Sequence, residues 1–355
     1  MVAVLFVRRW FRRHAHNYGA DMPQRFHQGA VPRLGGVGML LGWLVGLTVL
    51  AVLPRLGVFL GVSIGWGLYA ALVVVVSMVV LVGAAEDVTQ RVSVRWRLAC
   101  TGLAGVLAVV WMDVSVPRIG WPVLDAWWAS LPWLGMLLAV FAIMGLTHAF
   151  NIIDGYNGLA GLVAVLIGLA LAHISIQVGD RQLAVLSLGL VATTAGFLVW
   201  NYPRGLIFAG DGGAYLWGVL IALISILLVQ RHPTVSPWFV VLLLIYPVWE
   251  TLFSMYRKLA RGDSPGLADA LHLHQLIYRR LVRVMFDDDE ARDLLSRNNR
   301  TTPYLIAFAM MSVAPAVFFW NNTWVLVFFT ALFAVTYVSA YLMIVRFKIP
   351  DWLKH

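Results

Sequence analysis

The sequence predicts an all-α, polytopic integral membrane protein of about ten transmembrane helices, and three observations carry that expectation. Only 12% of the 355 residues are charged and 61% are hydrophobic, whereas a soluble domain is roughly 25% charged. Mean hydropathy is +0.82, and the apolar residues gather in runs of about 20, the length that crosses a hydrocarbon core of about 30 Å. Lysines and arginines collect on alternate connections between those runs.

Inside lipid the backbone must satisfy its own hydrogen bonds, which helices do locally. The short alternating strands of a transmembrane barrel do not occur in the sequence. Taken in order, the runs place helices near 36–54, 64–85, 98–112, 132–150, 158–176, 182–200, 213–230, 237–255, 304–320 and 323–345. The start is unusual. Met1–Val7 is apolar but too short to span, and Arg8, Arg9, Arg12 and Arg13 follow directly. It reads either as the end of a helix whose beginning is missing, which would make eleven, or as an interfacial anchor. Basic residues after the apolar stretch, rather than before it, argue against a cleavable signal peptide. The one cysteine, Cys100, leaves no internal disulfide. No internal repeat or soluble second domain interrupts the pattern, so 1–355 reads as one integral membrane unit whose longest loop is 256–303.

Of the 26 lysines and arginines, 22 fall in segments 8–35, 83–97, 201–213, 256–303 and 345–355. Arg55, Arg118, Arg181 and Arg231 fall on the other side. This is the positive-inside asymmetry. It predicts an inner-membrane protein with those segments in the cytoplasm, and it accounts for the net charge of +9 without nucleic acid. The Trp121, Trp127, Trp128 and Trp133 segment on the outer side reads as an interfacial belt.

Four polar clusters lie on the inner side: Glu86-Asp87, Asn151 to Leu159 (NIIDGYNGL), Gly210-Asp211-Gly212-Gly213, and His272-Leu273-His274-Gln275 amid Arg279, Arg280 and Arg283. A solvated helix end would explain any one of them; four on one face point to a site. Carboxylates and amides supply oxygen ligands for Mg²⁺, which binds through one or two carboxylates plus substrate phosphates. Glycines beside Asp154 and Asp211 permit close approach to the backbone, and helix N-termini after Gly158 and Gly213 offer N–H groups to an anion. Arginines and histidines neutralise a diphosphate. Together these suggest phosphoryl chemistry on a lipid.

At these residues the chain resembles the polyprenyl-phosphate N-acetylhexosamine-1-phosphate transferases, glycosyltransferase family 4. Arg25-Phe26-His27 through Pro32-Arg33-Leu34-Gly35-Gly36 resembles the family's N-terminal motif. Glu86-Asp87 stands at its Asp-Asp pair, Asn151–Leu159 at its Asn-x-x-Asp-Gly motif, Gly210–Gly213 at Gly-Asp-x-Gly, and His272-x-His274 at its His-x-His-His loop. Pro247 and Glu250 fall where the family often has Pro and an acid. Glu86 replaces an Asp and Gln275 a His, so the chain resembles the enzymes that initiate surface polysaccharides more than the peptidoglycan translocase.

The resemblance implies transfer of a sugar-1-phosphate from a UDP-N-acetylhexosamine to undecaprenyl phosphate, with release of UMP. It implies Mg²⁺ (or Mn²⁺) held by Asp211 and Asp87, with Glu86, Asp87, Asp154 and Asp211 as the catalytic carboxylates. Asn151, Asn157, His272, His274, Arg279 and Arg280 are then expected to hold the donor, and Arg25, His27 and Arg33 the lipid phosphate. A homodimer is one assembly it allows. The rival is a transporter of an anionic solute or lipid-linked sugar, although transporters place polar residues near the midplane on repeated, broken helices. A catalytically inactive scaffold is a third reading, kept open by Glu86.

Overall fold

The computed structural model describes residues 1–2, 4, 31–58, 61–262, 272–278 and 292–345, with side chains from 298 onward in the last segment. The chain is an all-α polytopic membrane protein. Its helices are α1 (Gly35–Val52), α2 (Trp66–Thr89), α3 (Val94–Met112), α4 (Pro122–Ala129), α5 (Pro132–Ile153), α6 (Leu159–Gln177) and α7 (Arg181–Asn201). They continue with α8 (Gly210–Arg231), α9 (Pro237–Leu243), α10 (Ile245–Ala260), α11 (Leu273–Leu276), α12 (Arg292–Phe318) and α13 (Thr323–Val345). Among the described residues nine helices are long and apolar enough to cross a bilayer, and α9 with α10 qualifies as a tenth, broken span.

The central element is α8, which packs against α1, α2, α5, α6 and α7. Its sequence is apolar on every side, as an interior helix requires, and nearly every residue from Gly212 to Val229 is buried. Small residues bring its neighbours close: Gly218 lies against the Thr147 backbone of α5, a close packing that membrane helices favour. The periphery is different. Leu103, Val110 and Trp111 of α3, and Phe328 and Val335 of α13, are exposed, an apolar surface suited to lipid rather than water.

Helix boundaries follow local chemistry. Pro122, Pro132 and Pro237 each open a helix, where a missing N–H costs nothing. Asp180 caps α7 by accepting the Leu183 N–H at 2.9 Å. At the far end of α8 the Arg118 guanidinium donates to the carbonyls of Val229, His232, Pro233 and Val235, which satisfies the last turn and the chain leaving it. The sequence reading drew 237–255 as one span. The structure instead bends by 68° between α9 and α10. Pro247 supplies the reason, because it cannot donate to the carbonyl of Leu243 and its ring crowds that oxygen.

Candidate active site

The site is assembled at the end of the bundle where α2 finishes and α8 begins. Asp87, in the last turn of α2, accepts the N–H of Asp211 at 2.9 Å on Oδ1 and of Gly212 at 3.0 Å on Oδ2. A helix N-terminus attracts negative charge, and here a carboxylate of the chain itself occupies it. The anion-binding N–H groups that the sequence offered to a ligand at α8 are therefore taken by Asp87.

Glycines make this contact close. Gly83, one turn before Asp87, faces the α8 backbone so tightly that an added Cβ would lie 2.6 Å from Gly212 N and 2.7 Å from Asp211 C. Gly210 has φ +70, and a Cβ there would meet the Arg33 carbonyl and the Asp87 carboxylate. The Pro32–Gly36 segment pairs with the same strand of chain: Gly35 and Gly36 donate to the carbonyls of Phe208 and Ala209, and Phe208 donates to that of Pro32, all at 2.9 Å. The glycines around Asp211 thus serve contact between chain segments, not the approach of a ligand expected from the sequence.

Asp211 Oδ2 accepts from Arg97 Nη1 at 2.6 Å. Arg97 comes from the first turn of α3, which Gln90, at φ 53, and the following turn bring alongside α8. Glu86 closes that turn by accepting the Val92 N–H at 2.8 Å. The departure from Asp is thus put to use in the loop, while Asp87 keeps the contact with α8.

The loop after α5 forms the second wall. Asp154 ends that helix, and Gly158, at φ +77, turns the chain into α6. The loop is clamped by amides from elsewhere. Asn201 Oδ1 accepts the Gly158 N–H at 2.7 Å, and Asn201 Nδ2 donates to the Ile207 carbonyl at 2.8 Å. Asn157 donates its N–H to Asn298 Oδ1 at 2.8 Å and its Nδ2 to Asn299 Oδ1 at 3.1 Å, and its carbonyl accepts from the Thr302 hydroxyl at 2.7 Å. Asn157, expected as a donor-binding residue, is mainly a buried tie between this loop and α12. Its Oδ1 has no hydrogen-bond partner among the described residues. Asn151 lies in the last turn of α5, half-buried.

The histidine loop closes on the same wall. His274 Nε2 lies 3.3 Å from where a Gly155 Cβ would sit, and its ring meets Tyr156 edge-on at 5.6 Å. His272 and His274 stack with 4° between their planes at 5.1 Å. Both turn Nδ1 towards Glu250 Oε1, at 3.2 Å and 3.7 Å.

Electrostatics join the walls. The Asp154 carboxyl is pushed up to about 7, first by burial and then by the Asp211 charge, while Arg33 acts in the opposite sense. The Asp211 charge acting on Asp154 is a repulsion that a nearby cation would relieve. Among the described residues no three His, Cys, Asp or Glu side chains group closely enough to hold a metal unaided. Asp211 and Asp154 are carboxylates, the group through which Mg²⁺ binds when substrate phosphates and water complete its shell.

The structure thus brings together Arg33, Asp87, Asp154, Asn157, Asp211, His272 and His274, with Glu86 and Asn151 at the margin. Arg25, His27, Arg279 and Arg280 lie outside the described residues. The sequence reading missed Arg97, which it counted only as a topology charge, along with Asn201, Asn298, Asn299 and Thr302. Polar residues at the ends of apolar spans, on the same side as the four clusters, were the available signal.

A family model, glycosyl transferase family 4, matches residues 69–229, which include three of the motifs. The chain is 26% identical over 279 residues to a Bacillus subtilis protein named probable undecaprenyl-phosphate N-acetylglucosaminyl 1-phosphate transferase, covering 77% of this chain and 74% of that one. It is 26% identical over 260 residues to the undecaprenyl-phosphate alpha-N-acetylglucosaminyl 1-phosphate transferase of Escherichia coli K12, covering 71% of this chain and 66% of that one. The Yersinia pestis protein of the same name is similar at 26%, covering 71% and 67%. The first of these alignments leaves about a quarter of the relative unmatched, and the other two about a third. With its motifs gathered at one end of the bundle, the chain is similar to glycosyl transferase family 4 over residues 69–229 and, over 71–77% of its length, to undecaprenyl-phosphate N-acetylglucosaminyl 1-phosphate transferases.

Proposed function

We propose that this protein transfers N-acetylhexosamine-1-phosphate from a UDP-sugar to undecaprenyl phosphate at the cytoplasmic face of a bacterial inner membrane. The product is a lipid-diphosphate sugar that starts a surface polysaccharide, and UMP is released. The single observation behind this reading is that segments as far apart in sequence as Pro32–Gly36, Asp87, Asp154, Asp211 and His274 meet at one end of the bundle. The relatives' names support N-acetylglucosamine as the sugar and undecaprenyl phosphate as the acceptor. The positive-inside count supports the cytoplasmic side.

In this reading an oxygen of the lipid phosphate attacks the sugar-bearing phosphorus of the donor. The bond from that phosphorus to the bridging oxygen breaks, and UMP leaves with the electron pair. A phosphate monoester has a second pKa of about 6, so the acceptor arrives largely dianionic and no residue needs to take its proton. Positioning and charge neutralisation then dominate. Asp87 fixes the first turn of α8 and so the direction of Asp211. Arg97 holds one oxygen of Asp211 at 2.6 Å. His272 and His274 complete the wall beside Gly155, and Arg33 adds positive charge for the lipid phosphate. Mg²⁺ bound at Asp211 and Asp154 would neutralise developing charge on the leaving phosphate.

The test is UMP release by detergent-solubilised protein given UDP-GlcNAc, undecaprenyl phosphate and Mg²⁺. Release that needs all three supports the reading. A transporter would instead take up solute in sealed vesicles and release no UMP in detergent, and that result would reject it.

A further inference from the structure

Asn201 is the last residue of α7 and is 5% exposed. A buried amide needs partners for both its oxygen and its nitrogen, and this one finds them on the main chain of two different loops. Its Oδ1 accepts the Gly158 N–H at 2.7 Å, and its Nδ2 donates to the Ile207 carbonyl at 2.8 Å. Gly158 stands four residues after Asp154, and Ile207 stands four residues before Asp211. The chain between each bond and its carboxylate is itself held. On one side, Asn298 and Thr302 of α12 hold the Asn157 N–H and carbonyl. Tyr202 also packs so closely on Gly158 that a Cβ there would lie 2.8 Å from its ring. On the other side, Phe208 and Ala209 pair with the Pro32–Gly36 segment up to the start of α8. Asparagine suits this place because it carries a donor and an acceptor in one plane. Aspartate would turn an acceptor on the Ile207 carbonyl, and glutamine would set the two loops a methylene further apart.

We propose that Asn201 is a positioning residue that ties the Asp154 loop to the segment leading into Asp211, and so sets how the two carboxylates stand to each other. Its hydrogen bonds go to neither carboxylate; it acts through two short stretches of main chain. The Asp211 charge is felt at Asp154, as carboxylates on linked loops at one site require. Without the amide, the Gly158 N–H and the Ile207 carbonyl, both on buried residues, lose their partner together. Each such loss carries the cost of an unpaired polar group, and the loops must separate to relieve it. The consequence for catalysis rests on the transferase reading, but the tie between the loops does not.

The experiment has two arms. The first follows amide hydrogen exchange, residue by residue, in detergent-solubilised protein without substrate. In Asn201→Ala, exchange should quicken by about 10–100-fold at Gly158 and also at Phe208, although the Phe208 N–H bonds to Pro32 and not to Asn201. Faster exchange at Gly158 with Phe208 unchanged would show that Asn201 anchors one loop only, and would reject the proposal. So would a Gly158 N–H that already exchanges freely in the wild type. The second arm measures the Mg²⁺ concentration for half-maximal UMP release. Asn201→Ala should raise it by about 10–100-fold, as loss of an outer partner does at metal sites. A fall in kcat with that concentration unchanged would mark Asn201 as holding the fold only and would overturn the proposal. If Asn201→Ala does not fold, Asn201→Asp takes its place, because it keeps an acceptor for Gly158 and lacks the amide donor for Ile207. It too should raise the Mg²⁺ requirement, and a wild-type requirement would reject the tie. Since the first arm uses no substrate, a protein that shows the expected exchange but releases no UMP would refute the transferase reading and leave the tie standing.

Discussion

Gly83→Ala is the sharpest test of how the carboxylates are held. The new Cβ would sit 2.6 Å from Gly212 N, 2.7 Å from Asp211 C and 2.8 Å from Asp211 O, all backbone atoms. Ordinary contact begins at 3.4 Å, so α2 and the first turn of α8 must part by 0.8 Å. The Asp87 contact to the Asp211 N–H, now 2.9 Å, would then exceed hydrogen-bond length. Overpacking of this kind costs about 1–3 kcal/mol, and a misplacement of about 1 Å can lower turnover by about 100-fold. UMP release should therefore fall by roughly 10–100-fold, with a lower melting temperature. Gly67→Ala in the same helix is the control, because its Cβ would meet nothing within 4 Å; it should be neutral or stabilising by about 0.5–1 kcal/mol. If folded Gly83→Ala keeps activity within about twofold of wild type, the close approach of α2 to α8 does not position the site.

Asp211→Asn should remain folded, because Asp87 binds the backbone of that turn and not the Asp211 side chain; its turnover should drop by about 100–1,000-fold without recovery at high Mg²⁺, and near-normal activity would remove Asp211 from the metal site. The Asp154 carboxyl, raised from 3.8 to about 7, makes the protein without metal lose stability as pH rises from 4 through 7, because over that window the folded state holds the proton more tightly than the unfolded state. Mg²⁺ competes with that proton, so its affinity should increase from pH 6 to pH 8; titrations at both pH values check this, and equal affinities would contradict it. At the other end of the bundle, Asp180→Ala removes the α7 cap and the contacts to Arg231 at 3.2 Å and His232 at 3.1 Å. Thermal melting should show a loss of about 0.5–2 kcal/mol, with kcat of the folded protein unchanged.

The spans were legible because lipid imposes one length and one composition on every crossing helix, and the sequence meets both at α1 to α3, α5 to α8, α12 and α13. The bend at Leu244 was not drawn, although Pro247 was in view, because apolar composition continues unbroken from Pro237 into α10. At the site, the identities of Asp87, Asp154, Asp211 and His274 could be read from type, order and side. Their partners could not. Arg97 finds Asp211 across 114 residues, and Asn157 finds Asn298 across 141, and nothing in local spacing encodes either pairing. A topology arginine and a site arginine also look alike in composition, so Arg97 was counted for the first role alone. The glycines near Asp211 were noticed for the right property, close approach, but what approaches is the chain itself. Glu250 was seen only as an acid at a familiar place; the loop and the helix whose donors it accepts meet only in the fold.

The most direct measurement is exchange of radiolabelled UMP into UDP-GlcNAc, catalysed by detergent-solubilised protein in the presence of undecaprenyl-diphosphate-GlcNAc and Mg²⁺. The reaction trades one phosphoanhydride for another, so both directions should run readily. Label should appear in UDP-GlcNAc only when the lipid product is present, and Asp87→Asn and Asp211→Asn should each slow its appearance. Absence of exchange by folded wild-type protein, or equal exchange by the two variants, would contradict a single transferase site built on these carboxylates.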